Sequence, residues 1–461
     1  MTDLPLTPFE EYLFTDDIPA YPINCHIRGR FRGRFDHAAL DAALQEVLAL
    51  HPLLHSGVRE VVSNDFRWFP LPEEQWPTIR WSTGMDDAFP PSRKFDLSQE
   101  PGIRFYVVEG HDDVSDLFVE FHHVVGDGIA IFAVMSDLFE AYQAQVGGPL
   151  SDSSRKKGAA ERIDPSRLAH RDPKIPSLWT FYRGLPWWCW LLARFIRFIA
   201  FRPVAFLRFL YGTQSLFLPN VDDSEPTSPF PAMVADSLCR EETLRLQKTA
   251  TENGVSLYEW MLTAYYRSID HWIGELGFFT KKRCLRIAVP VSLRTAQDAS
   301  LSSSNVVSMM FVDRFRSELS DKQRLLRGIH RELKHLTRCK MGYLLLLVLR
   351  TVKRILGNFR WTIEKRCWAS SVFTHLGKIF VKTRLPLRQG KIVLGKTEHE
   401  LILDGIHLSA PLRPWYVAVL GTGIYAGSLS ITFHYDATAI SREHAELLLR
   451  RFKEELTGTP L

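Results

Sequence analysis

Phe121-His122-His123-Val124-Val125-Gly126-Asp127-Gly128 is the stretch around which the rest of this chain is read. Upstream, Asp116 to Phe121 alternates, with Leu117, Val119 and Phe121 on one side, the period of a strand. Downstream, Ile129, Phe132, Ala133, Ser136 and Phe139 or Glu140 recur at helical spacing. Asp127 stands where a helix N-cap belongs, and Gly128 permits a tight turn. His123 is therefore expected at a strand end beside a helix start, where local fields tune a group that titrates near neutral pH.

At average residue frequencies, His-His-x-x-x-Asp-Gly arises by accident in on the order of one in a thousand chains of this length. A metal site fits poorly, because adjacent strand residues point to opposite faces and His122 and His123 do not share an ion easily. Two readings stay open on spacing alone. In one the histidines pack and Asp127 caps a helix; in the other a general base sits at a strand end, held by an aspartate-bearing turn.

The chain has 461 residues, 46% of them apolar and 12% aromatic, which is too much for one compact domain and predicts two lobes. A net charge of +5 suits an anionic co-substrate or a membrane surface and is too weak to argue for nucleic acid. The six cysteines are scattered with no Cys-x-x-Cys pair, which argues against zinc and predicts free thiols in a reducing cytoplasm. The first residues carry neither a basic start nor an apolar run, so no secretory signal is predicted.

Asp36 is placed to cap a helix with Leu40, Leu44, Val47 and Leu48 as its apolar stripe, ended by His51-Pro52. Residues 84–102 read as a loop, and 103–109 with 116–123 as a hairpin across an Asp-rich turn. Residues 144–177 and 219–231 are the breaks in pattern, so the boundaries are 1–150 for a first lobe, 151–231 for a linker with an apolar-basic insertion, and 232–461 for a second lobe. Near the end, 415–421 and 427–435 read as an antiparallel pair with Leu429, Ile431, Phe433 and Tyr435 on one face. Ser441 then starts a last helix.

The string around His123 resembles the signature of the chloramphenicol acetyltransferase-like superfamily, which includes peptide-synthetase condensation domains and bacterial wax ester synthase/diacylglycerol acyltransferases. His51-Pro52-Leu53-Leu54-His55 resembles the family's early segment, with His55 where arginine is usual. Val289-Pro290-Val291-Ser292-Leu293-Arg294 and Asn305 to Val312 resemble the wax ester synthase pattern, departing at Ser304, where glycine is usual. The resemblance implies an α+β fold of two similar lobes, each a mixed β-sheet with helices, with an active-site channel between them. It implies acyl transfer with His123 as general base and Asp127 completing the catalytic motif, mainly as the structural partner of Arg294. His122 and Gly128 are supporting, and Asn305 lines the substrate channel. No metal and no permanently bound cofactor is implied. The donor is acyl-coenzyme A, with an acyl carrier protein as the alternative. The acceptor is a lipophilic alcohol, and an amine in the condensation-type alternative. A non-catalytic lipid- or carrier-binding module is the reading from a different class.

Leu185 to Tyr211 is aromatic and aliphatic, and its charges are all arginine, with Arg194, Arg197 and Arg208 on one side of a helical projection. Met341 to Trp361 repeats the theme with Arg350, Lys353 and Arg354. Both predict a peripheral enzyme on the inner face of the membrane; helices packed on the lobes with snorkelling arginines are the alternative.

Overall fold

This computed structural model describes residues 3–84, 89–150, 158–176, 230–277, 284–359, 368–381, 383–416 and 418–458. Leu185 to Tyr211 lies outside the described residues.

The predicted hairpin forms as Ile103–Glu109 and Val114–His122, paired antiparallel from Ile103–Phe121 to Glu109–Ser115. Val114–His122 pairs on its other side with Asn24–Arg32, in register from Asn24–His122 to Arg32–Val114. Leu117, Val119 and Phe121 face a core shared with the helices His37–Leu50 and Gly128–Gln145. The alternate residues Asp116, Phe118, Glu120 and His122 are buried as well. This strand is therefore covered on both faces, and its second face is polar.

Among the described residues the first sheet has seven strands. In spatial order they are Leu387–Arg388, Lys391–Lys396, His399–Ser409, Asn24–Arg32, Val114–His122, Ile103–Glu109 and Ile79–Thr83. All pair antiparallel except the last two. The division at residue 231 is corrected here: 387–409, assigned by sequence to the second lobe, extends the first lobe's sheet, His399–Ser409 pairing with Asn24–Arg32. Alternation identifies a strand but not its partner, so sequence carried no sign of this crossing.

Among the described residues the second sheet has six strands: Val307–Phe315, Cys284–Ser292, Ser371–Lys378, Ala418–Tyr425, Ser428–Tyr435 and Ala232–Leu238. Ser371–Lys378 runs parallel to both its neighbours. Leu429, Ile431, Phe433 and Tyr435 share one core with the helices Leu257–Glu275 and Arg442–Thr457. Ser441 caps the latter, accepting from the His444 amide. Each lobe is thus a mixed sheet backed by helices.

Residues 158–176 do not behave as a free linker. Arg171 forms a buried bidentate pair with Glu10, Arg162 pairs with Asp137, and Arg167 donates to Ser300 of the second lobe. The predicted helix in 341–361 forms as Gly342–Leu356 and stops at Gly357, whose φ of 73° favours glycine. Arg350 binds Asp172 at 2.7 Å and Lys353 binds Glu11, so these two cations face protein rather than a membrane. Leu344, Val348 and Ile355 are left exposed along one stripe, with Arg354 exposed nearby.

Candidate active site

The motif strand ends at His122. Its amide donates to the Gly102 carbonyl, and the His123 amide donates to the Ile23 carbonyl, after which the chain turns through one short 3-10 turn. His122 is fully buried. Its Nδ1 accepts from the Val124 amide at 3.1 Å, so that nitrogen carries no proton and Nε2–H faces Asp17 at 3.4 Å. Burial pushes the Asp17 carboxyl up, but its hydrogen bond to His122, the Ile23 amide and Lys94 bring it below the usual carboxylate range. His122 is committed to holding the turn.

His123 is half-buried and its ring meets Asn305. Asn305 Nδ2 donates to the carbonyls of His123 and Val124, at 2.6 and 2.9 Å. With both amide hydrogens spent, Oδ1 faces His123 Nδ1 at 3.1 Å as an acceptor. Nδ1 therefore bears the imidazole proton and Nε2 carries the lone pair. Burial lowers the His123 pKa below the ordinary histidine value; the nearby Asp127 carboxylate and Asn305 oppose this only in part. The ring is thus neutral at neutral pH and has one fixed basic nitrogen, the state that a general base requires.

Asp127 caps the helix Gly128–Gln145 through Oδ1, which accepts from the Ala130 amide at 2.9 Å. Its Oδ2 accepts from Arg294 and from the Val306 amide, both at 2.9 Å. The same Arg294 nitrogen donates to the Ser304 carbonyl at 2.8 Å. Asp127 and Arg294, 167 residues apart, therefore meet, and the carboxylate positions the second-lobe segment that carries Asn305. Asp127 does not touch the His123 ring.

Two expectations change. Asn305, read as a channel wall, is buried and spends its amide on the His123 turn. Gly128, read as a turn residue, is the first residue of the helix, and a Cβ there would lie 3.1 Å from Leu376. Close approach, not backbone freedom, calls for glycine. Gly126 is tighter still: a Cβ would sit 2.6 Å from Ser303 Oγ.

Sequence missed a second tie across the lobes. His51 Nδ1 accepts from the Ser303 amide at 3.0 Å, its Nε2 lies 3.3 Å from Asp137, and Ser303 Oγ donates to the Val125 carbonyl. The stretch Ser302 to Asn305 is buried throughout and lies against the motif turn. A run of serines ending in asparagine was the only signal available, and by itself it reads as loop.

Two sheet-and-helix lobes joined at an HHxxxDG turn are the arrangement of a condensation-domain fold. Residues 21–158 match the condensation domain family model. A stretch of the chain resembles CymA, a probable non-canonical nonribosomal peptide synthetase of Salinispora arenicola. Identity is 28% over 136 residues, which is 28% of this chain and 2% of that synthetase. Polyketide synthase associated protein 5 from Mycobacterium tuberculosis superposes with a TM-score of 0.62 at 16% identity, covering 99% of this chain and 98% of that one. The starter condensation domain of rhizomide synthetase RzmA, solved as a mutant with C8-CoA and Leu-SNAC, superposes at 0.63 and 12% identity, covering 100% and 95%. At these identities the structural likenesses establish the fold. The chain has the condensation-domain fold.

Proposed function

We propose that this protein transfers an acyl group from a thioester, acyl-coenzyme A, to a lipophilic hydroxyl acceptor, with His123 Nε2 as general base. The observation that carries this is the Asn305 clamp, which fixes the tautomer and leaves Nε2 basic. The acceptor O–H meets Nε2, the oxygen attacks the thioester carbonyl carbon, and His123 takes the proton. As the tetrahedral intermediate collapses, the C–S bond breaks and His123 returns the proton to the departing thiolate. No covalent enzyme intermediate is needed, because both substrates can be held together in one channel. Amide formation is the second reading, supported by the likeness to CymA, a probable peptide synthetase.

The test is a panel of acyl-coenzyme A donors against mixed alcohols and amines, with products read by mass spectrometry. His123→Ala should lose about two to four orders of magnitude in rate with the fold intact, while His122→Ala should cost stability more than chemistry. If His122 is the more sensitive for chemistry, the base is misassigned.

The exposed stripe Leu344, Val348 and Ile355, beside Arg354, supports a peripheral membrane location, where a lipophilic acceptor would be found. No described helix is long and apolar enough to cross a membrane.

A further inference from the structure

A cavity of about 650 Å³ opens beside the site, between the helices Leu257–Glu275 and Lys322–Arg338 and the second sheet. Two of its lining residues lie on strands whose neighbouring residues reach the motif turn. Ser292 lines it and pairs with Val307, and the ladder continues through Leu293 and Val306 to Asn305, which holds the His123 ring. His375 also lines it, and the next residue, Leu376, packs over Gly128 at the start of the motif helix. The walls are largely apolar, from Val291, Met310, Leu333 and Tyr258. The Tyr258 hydroxyl is buried with no hydrogen-bond partner among the described residues, a donor left for something that enters.

The rim is different in kind. Lys334, Thr337 and Arg338 lie on one face of Lys322–Arg338, exposed, and all three line the cavity. Among the described residues neither Lys334 nor Arg338 has an ion-pair partner. His330, a turn earlier, is paired with Glu259 at 3.0 Å, so the acidic residue of this wall is already engaged. Basic residues in a last helical turn also complement the helix dipole. A dipole alone does not account for a hydroxyl and two uncompensated cations arranged at the mouth of a largely apolar cavity.

We propose that Lys334, Thr337 and Arg338 bind the phosphates of a free coenzyme A donor, and that the cavity behind them takes its thioester-bearing arm. This rests on the acyl-transfer reading above and names which form of donor the site selects. A carrier-bound donor brings only the single phosphodiester of its prosthetic arm and docks through protein surface. Free coenzyme A brings its adenosine phosphates, and a paired-cation rim suits those.

The test uses the whole chain and the Lys334→Glu/Arg338→Glu variant, with Lys334→Gln/Arg338→Gln as a milder second pair. Calorimetry should show coenzyme A and adenosine 3′,5′-bisphosphate binding to the unaltered protein, weakening with salt and at least tenfold in the Glu variant. In turnover, KM for acyl-coenzyme A should rise at least tenfold with kcat unchanged, while KM for the phosphate-free acyl-N-acetylcysteamine thioester stays put. Equal coenzyme A affinity in both proteins, an equal loss with the phosphate-free thioester, or turnover only from a carrier-bound donor would overturn the proposal. Binding does not depend on turnover. If coenzyme A binds through Lys334 and Arg338 but no acyl product forms with any acceptor, the acyl-transfer reading fails and the phosphate site stands.

Discussion

Replacing Asn305 with alanine probes the clamp on His123. The substitution removes three hydrogen bonds: one to the ring and one to each of the carbonyls of His123 and Val124. Asn305 is 3% exposed, so water does not replace the amide readily. A buried polar group left unpaired costs about 1–3 kcal/mol, and two carbonyls, partly relaxed, give a stability loss of roughly 2–5 kcal/mol. The chemical loss is separate. Without an acceptor at Nδ1 the imidazole proton is free to move to Nε2, and the base then presents a proton where it should accept one. Losing the group that fixes a catalytic histidine's tautomer has cost up to about four orders of magnitude elsewhere. We expect Asn305→Ala to fall at least about a hundredfold in kcat/KM, no lower than His123→Ala. The assay is single-turnover acyl transfer across pH, in protein whose folding is checked by near-ultraviolet dichroism, with ¹⁵N imidazole shifts reporting the tautomer. In the unaltered protein burial depresses the His123 pKa, so the neutral base persists below 6.5 and activity is lost only as pH falls through that lowered value. A folded Asn305→Ala with wild-type rate and an unmoved tautomer would refute the reasoning. Asn305→Ser, which disturbs packing less, guards against simple unfolding.

The pair Asp127 and Arg294 should be coupled. Asp127→Asn turns an amide donor toward Arg294 or the Val306 amide and should cost about 3–5 kcal/mol, whereas Arg294→Ala leaves Asp127 two backbone donors and should cost less; in urea the double variant should match the worse single, and additive losses would deny the contact. Burial lowers His434 and His375 to about 4, opposed in part by the Ala410 carbonyl and Asp436 for the first and by Thr422 for the second. The unfolded chain therefore takes up protons near pH 6.5 that the folded one refuses, so stability should fall from pH 7.5 to 5.5 by roughly 1 kcal/mol per histidine. His434→Gln should flatten that dependence, and an unchanged slope would count against it. Leu344→Asp with Ile355→Asp should reduce co-sedimentation with anionic vesicles without altering turnover of a soluble acceptor; undiminished binding would remove this helix from the membrane contact.

What sequence made legible were features with a period or a spacing. The HHxxxDG string placed Asp127 as a cap, and the 289–312 pattern supplied Arg294 as its partner across 167 residues. The alternation in 428–435 located a core face correctly. Its other face, with Ser430, Thr432 and His434, is buried as well, His434 packing against His26 of the first lobe. The Asn305 clamp and the His51–Ser303 tie were illegible. Both depend on irregular loops brought together over 182 and 252 residues, and no local pattern encodes such a meeting. The orientation of the Gly342–Leu356 helix was left open for a related reason. Composition gave its cations and its apolar residues, but only Asp172 and Glu11 decide which side faces protein.

The crossing strands impose a timetable on synthesis. A chain leaves the ribosome from its N-terminus at about 5–20 residues per second, so the edge of Asn24–Arg32 is exposed well before its partner His399–Ser409 has been made. For roughly twenty seconds or more at those rates, the nascent first lobe carries an open sheet edge, a template for the wrong strand. A fragment cut at the apparent lobe boundary would keep that edge permanently. Lobe exchange between relatives should therefore move 387–409 together with the first lobe, although those residues are encoded in the second.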